Sequence, residues 1–142
     1  MPRRTFPAGG IRGVLLEGYY AIRLFLSLVL GWWAYVLALP GDTFAHYPSY
    51  AWFDRHGTEA GWAAFTGAGS LLCASALFYR ATWWRAVSAS GASVVYGVVA
   101  YGLWAANPLS TGTGTYVACA LLCYALAARN IVASPGTPEH RP

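Results

Sequence analysis

The chain contains no lysine, and charged residues make up only 10% of its 142 residues. Four stretches, 24–39, 60–79, 86–106 and 108–128, contain no Asp, Glu, Lys, Arg or His at all. A disordered chain needs a high net charge and few apolar residues, whereas 57% of this chain is apolar. A nucleic-acid-binding protein needs a basic face on a folded surface. The scarcity and the grouping of charge exclude both classes.

The uncharged stretches are long enough to cross a bilayer, which takes about 20 apolar helical residues. Three stretches meet that length, and the first meets it with a few flanking residues. We therefore predict an all-α fold, a membrane four-helix antiparallel bundle with spans at about 20–39, 59–79, 86–106 and 114–129. An amphipathic N-terminal stretch and a short outer interfacial helix complete it. Residues 1–142 form a single integral membrane domain with flexible ends at 1–10 and 130–142.

Arginine lies almost entirely on one side of the predicted spans. Only Arg55 lies on the other side, in a loop with Asp42, Asp54 and Glu59. Positively charged loops stay in the cytoplasm, so we expect both termini to be cytoplasmic in a bacterial inner membrane. Arg23 is expected to extend to the headgroups along its aliphatic stem. The eight arginines of the cytoplasmic side are Arg3, Arg4, Arg12, Arg23, Arg80, Arg85, Arg129 and Arg141.

The predicted outer loop, residues 43–58, is unusually aromatic for a loop. Aromatic side chains are enriched at the membrane interface, so we expect a short interfacial helix over 49–56. We expect the chain to have two kinds of partner. One is the lipid bilayer, and the other is a membrane or envelope protein that binds to this loop. Its aromatic residues are Phe44, Tyr47, Tyr50, Trp52 and Phe53.

The outward side also gathers the polar residues of a candidate outer polar cluster. Carboxylates and imidazoles could in principle bind a metal, but their spacings match no known ligand pattern. We therefore predict no metal and no cofactor, and loop polarity is the simplest interpretation. Glu59 additionally suits the first turn of a helix, after Thr58 as its cap. The cluster comprises Asp42, His46, Asp54, His56, Glu59 and Asn107.

Small residues at helical spacing indicate close helix packing within the membrane. Gly61 and Gly67 on the second span and Gly97 on the third are the predicted packing positions. Whether the chain forms an oligomer is left open.

The three cysteines lie inside spans and are interpreted as small apolar filler. Spans two to four carry no charge for an ion relay. No catalytic motif occurs, so we predict that the chain is not an enzyme.

Three short motifs carry a resemblance that covers most of the chain: PGDTF at 40–44, EAGW at 59–62 and NPLST at 107–111. With them the chain resembles small four-span membrane proteins encoded by tailed bacteriophages, whose function is unassigned. A looser similarity links it to DoxX-type four-helix membrane proteins, in which an Arg opens span one (Arg23), an acid opens span two (Glu59) and an Arg closes it (Arg80). The basic residue usual after span one is missing here.

Three functions stay open at this point. The first is a non-enzymatic inner-membrane accessory protein, phage or prophage encoded, that modifies the host envelope or excludes other phages. The second is a holin-like pore-forming lysis protein, although holins usually have fewer spans and a strongly charged tail. The third is a DoxX-like redox-linked membrane subunit.

Overall fold

The computed structural model describes residues 10–41, 43–79 and 81–132, and for residues 10–17 it describes the backbone alone. These ranges contain α-helices and one 3-10 turn, Pro48–Tyr50, with no strand among the described residues. The helices are α1 (Gly10–Ala38), α2 (Thr43–His46), α3 (Ala51–His56), α4 (Glu59–Phe78), α5 (Thr82–Ala106) and α6 (Thr111–Val132).

Four helices are long and apolar enough to cross a membrane: α1 from Gly18 to Ala38, and the whole of α4, α5 and α6. The shortest, α4, has 20 residues. At 1.5 Å per residue such a helix is about 30 Å long, the thickness of the hydrocarbon core. The predicted all-α four-helix bundle is therefore confirmed, and its helices suit a protein embedded in a membrane.

The bundle is built from two helix pairs. Helix α1 packs along α4, α5 packs along α6, and the pairs join chiefly through α4 and α5. The start of α1 and the finish of α6 lie together, because the Tyr19 hydroxyl donates a hydrogen bond to Asn130 Oδ1 at 3.0 Å. We call this end the termini side. The opposite end, the loop side, carries the outer loop (residues 43–58), and there the Trp33 and Tyr116 rings lie 6.0 Å apart.

Hydroxyl groups bond one helix to the backbone of another. The Ser70 hydroxyl donates to the Ser27 carbonyl at 2.8 Å, and the Ser27 hydroxyl donates to the Ser70 carbonyl at 3.2 Å. Between the two pairs, the buried Tyr96 hydroxyl donates to the Leu26 carbonyl at 2.5 Å. Lipid tails are as apolar as the helix surfaces, so close packing and hydrogen bonds of this kind hold the spans together.

The outer surface of the spans is apolar. Leu28, Trp32, Leu71 and Leu121 are each more than 60% exposed. Contiguous apolar surface of this kind is rare on soluble monomers. It is the surface expected where acyl chains surround the helices.

Helices α5 and α6 extend beyond the predicted bounds of the last two spans. Helix α5 begins at Thr82 rather than at 86, and α6 runs from Thr111 to Val132 rather than from 114 to 129. The predicted start of the third span and the predicted finish of the fourth were set by charged residues. The helices continue through Arg85 and Arg129, whose side chains find partners at the termini side. Of the predicted flexible ends, residue 10 and residues 130–132 are helical. The rest, residues 1–9 and 133–142, lies outside the described residues.

The predicted interfacial helix over 49–56 takes the form of the 3-10 turn followed by α3, and α2 precedes them. Pro48 has no backbone N–H to donate and opens the turn, which suits the first position of a helix. The helix predicted over 49–56 is therefore present, whereas α2 was not predicted.

The three predicted packing glycines lie in different surroundings. Gly67 faces α1, where an added Cβ would lie 3.5 Å from Ala34 Cβ. Gly61 would meet only Thr58 Oγ1, and Gly97 would meet no atom within 4 Å, so neither is placed for a close helix contact. Two glycines that the sequence did not single out lie closer to a neighbouring helix. On α5, a Cβ at Gly91 would lie 2.5 Å from the end of the flexible Leu72 side chain of α4. On α4, Gly69 faces the β-branched Val95 of α5. A Cβ there would lie 3.0 Å from Val95.

We predict that Gly69→Leu destabilises the bundle by about 1–3 kcal/mol, the usual cost of overpacking a tight contact. Val95 is β-branched and has little freedom to move away. Gly97→Leu is the matched control, because its side chain enters open space. Thermal unfolding in a neutral detergent measures both variants. Equal unfolding temperatures for the two variants would contradict the proposed α4–α5 contact.

Candidate functional site

Glu59 ties the outer loop to the start of α4. The Phe44 backbone N–H donates to Glu59 Oε1 at 2.6 Å, and the Phe44 side chain is only 5% exposed. One residue earlier, Thr58 caps the helix, because its hydroxyl oxygen accepts from the Gly61 N–H at 3.1 Å. Glu59 therefore opens the helix, as its sequence position predicted, and also holds a segment that is distant in the chain.

Phe53 anchors the outer loop in the end of the bundle. Its side chain is fully buried, with its ring centroid 5.3 Å from that of Trp33 and 5.1 Å from that of Trp62. The Trp62 indole N–H donates to the Phe53 carbonyl at 3.0 Å. Gly102 on α5 leaves the space for this ring, since any Cβ there would collide with it. The aromatic loop predicted to lie in the interface is thus partly inside the protein.

His56 interacts within its own short helix. Its imidazole stacks on the Trp52 ring with the centroids 4.2 Å apart, and its Nδ1 lies 2.7 Å from the Trp52 carbonyl oxygen. This arrangement keeps the histidine on the surface, beside the aromatic residues of the loop.

Three further members of the candidate outer polar cluster lie within the described residues. Asn107 accepts a hydrogen bond from the Leu109 N–H at 3.1 Å, which closes the turn before α6. His46 and Asp54 are exposed on the outer loop, and Asp42 lies outside the described residues. Across the described parts of the chain, no three His, Cys, Asp or Glu side chains are grouped so that they could hold a metal ion.

A pocket of about 480 Å³ opens between the outer loop, α1 and the start of α6. Aromatic rings form much of its wall, and serine and threonine residues add hydroxyl groups. Burial raises the pKa of the Tyr50 phenol, and the neighbouring Tyr47 raises it further. We call this the outer pocket, and its lining includes Trp33, Thr43, Tyr47, Ser49, Tyr50 and Tyr116.

The prediction that Arg23 extends to the headgroups was wrong. Its side chain is completely buried and donates to the Ser88 hydroxyl at 3.2 Å and to the Arg85 carbonyl at 2.9 Å. These acceptors lie on α5, which is 62 or more residues away in the chain. The sequence marked Arg23 as unusual, since it stands at the edge of an uncharged stretch, but could not identify its partners.

Comparison with known proteins adds no relative: no protein-family model, curated protein or solved structure matches this chain. The resemblance to phage-encoded four-span proteins and to DoxX-type proteins stays a prediction.

We predict that Glu59→Ala loosens the outer loop, because the Phe44 N–H loses its charged acceptor. Such bonds contribute about 1.5–3 kcal/mol. Hydrogen exchange of the Phe44 amide should become faster, and thermal stability should fall. Glu59→Gln keeps an oxygen acceptor and should stay closer to the wild type.

Asp54→Ala, which alters an exposed carboxylate of the same loop, serves as the control. If the Phe44 amide exchanged equally slowly in the wild type and in Glu59→Ala, the loop would be held by its aromatic contacts alone.

Proposed function

We propose that the chain is a non-enzymatic accessory protein of a bacterial inner membrane, encoded by a phage or prophage. Its outer loop would bind another membrane or envelope protein and thereby modify the envelope or exclude other phages. The observation that carries the proposal is the anchored outer loop, which leaves the outer pocket open beside it.

The anchoring supports a binding role because a preorganised surface loses less conformational entropy when a partner docks. The buried Phe44 and Phe53 side chains anchor the loop to the end of the bundle, while Tyr47 remains 58% exposed at the pocket. Aromatic residues, tyrosine among them, are enriched where proteins bind each other. The exposed part of the loop therefore has both the rigidity and the composition of a contact surface.

The interior of the bundle is a reason to prefer this role over a holin-like pore. A channel needs polar groups or a hydrophobic gate along a continuous path. In the described part of the bundle, the centre is filled largely by leucine, alanine, valine, tyrosine and cysteine side chains. The buried polar side chains Arg23, Ser27 and Thr66 bond to other groups of the protein. A pore would need either a rearranged bundle or an assembly of several copies.

The cysteines are a reason to prefer it over a DoxX-like redox subunit. A reactive thiol must be reachable and is activated by a positive environment. Cys73, Cys119 and Cys123 are free and are 5% exposed or less. Their burial accords with the role of apolar filler.

We predict that Tyr47→Asp abolishes the activity of the chain without lowering its amount in the membrane. Truncating a central interface aromatic costs about 2 kcal/mol, or about 30-fold in affinity. The measurement is the plating efficiency of a panel of tailed phages on expressing cells, with protection expected from the wild type and lost in the variant. Trp32→Ala, which alters an exposed aromatic on the outer surface of α1, should keep protection.

The same strains distinguish the alternatives. Collapse of the membrane potential on expression would assign a holin-like role and contradict the proposal. A change in oxidant sensitivity that disappears when the cysteines are replaced by serine would assign a redox role.

The proposed orientation has both termini in the cytoplasm, because the arginines concentrate on the termini side. A reporter active only in the periplasm should be silent when fused after Arg129 and active when inserted within residues 49–58. The reverse pattern would place the outer loop in the cytoplasm and remove its access to envelope partners.

A further inference from the structure

A second site lies on the termini side, away from the outer loop, and its centre is Tyr19. Three guanidinium carbons surround this one ring: Arg23 at 4.7 Å, Arg129 at 5.6 Å and Arg85 at 6.0 Å from its centroid. The Tyr19 hydroxyl is held by Asn130, so the ring position is set by a buried hydrogen bond between α1 and α6. Residues of three helices therefore gather three positive charges around one aromatic side chain.

The hydrogen-bond partners described for Arg23 and Arg85 are all neutral. Arg23 uses the Ser88 hydroxyl and the Arg85 carbonyl. Arg85 donates to the Tyr79 carbonyl at 3.3 Å and to the Tyr20 hydroxyl at 3.2 Å. Cation–π contact with the ring offsets part of the repulsion, but none of these groups supplies a negative charge.

Acidic side chains do not balance the cluster within the described residues. Asp54 and Glu59 lie on the loop side, at the far end of the bundle. Glu17 precedes Tyr19 by two residues, and its side chain lies outside the described part. The fully buried Arg23 also has an Nε atom without a hydrogen-bond partner. Because Arg23 has no exposed surface, an anion can balance its charge only from beside it, at the more exposed arginines. Because buried charges are normally paired, the arrangement calls for an anion.

We propose that this cluster binds a phosphate group with net negative charge, either the headgroup of an anionic phospholipid or free phosphate. Arg129 is exposed and Arg85 half-buried, so these two would contact the phosphate, while Arg23 lies beneath them and adds its positive field. Guanidinium groups match phosphate oxygens in geometry and bind them through paired, charge-assisted bonds. Basic pockets between membrane helices are sites of this type.

The adjacent surface favours a lipid as the source of the phosphate. An apolar groove of about 450 Å³ lies at the same end of the bundle, and its lining includes Ala86, which follows Arg85, and Ile131, which is two residues after Arg129. Trp83, also in this groove, is 63% exposed. A lipid whose headgroup sits on the arginines could lay an acyl chain in this groove.

The test uses the full chain purified in a neutral detergent, with thermal unfolding as the readout. Dioleoylphosphatidylglycerol, dioleoylphosphatidylcholine and inorganic phosphate are titrated separately. We expect phosphatidylglycerol to raise the unfolding temperature more than phosphatidylcholine does. Arg129→Gln should weaken the apparent affinity about fivefold, the usual effect of one basic residue at an anionic surface.

Arg55→Gln is the control, since Arg55 is an exposed arginine on the loop side, and it should behave as the wild type. Stabilisation by phosphatidylglycerol alone identifies lipid as the source, and equal stabilisation by millimolar phosphate identifies the free anion. Equal effects of the two lipids without an effect of phosphate, or equal affinities of the Arg129 and Arg55 variants, would overturn the proposal. Stabilisation seen only in Glu17→Gln would make Glu17 the counter-charge and would also overturn it.

Discussion

Close contact between helices is the constraint on which the structure depends, because a bilayer offers no hydrophobic force that would press spans together. The reciprocal bonds between Ser27 and Ser70 and the near approach at Gly69 meet this constraint along α4. Tyr96 on α5 bonds the Leu26 carbonyl of α1 and so connects the two helix pairs. The bundle is therefore held by small residues at the close helix contacts and by the hydrogen bond of one large polar side chain between the helix pairs.

An aromatic side chain lies at the centre of the contacts at each end of the bundle, but its neighbours differ between the two ends. On the loop side, Phe53 fills the space above Gly102 and brings the outer loop onto the helix ends. On the termini side, Tyr19 is surrounded by guanidinium groups and bonded to Asn130. An aromatic ring therefore packs against other aromatic rings at one end and against cations at the other.

Much of the fold was predictable, because the absence of charge over span-length stretches is a direct consequence of burial in lipid. The candidate site was less predictable from the sequence than the fold. Glu59 was recognised as a helix start, but its bond to Phe44 joins residues whose proximity no local pattern reveals. The six outward polar residues were grouped by side of the membrane, and the structure gives Asn107 and His56 separate local partners.

The sequence by itself determined the four spans, the helical outer loop and the segregation of arginine, since each follows from composition within a single segment. Only the tertiary structure decided which glycines touch a neighbour and where Arg23 goes. Whether a small residue meets a helix or open space, as at Gly69 and Gly97, depends on the rotation of two helices about their axes. The burial of Arg23 depends on acceptors from α5, which reach it only once the two helix pairs have joined.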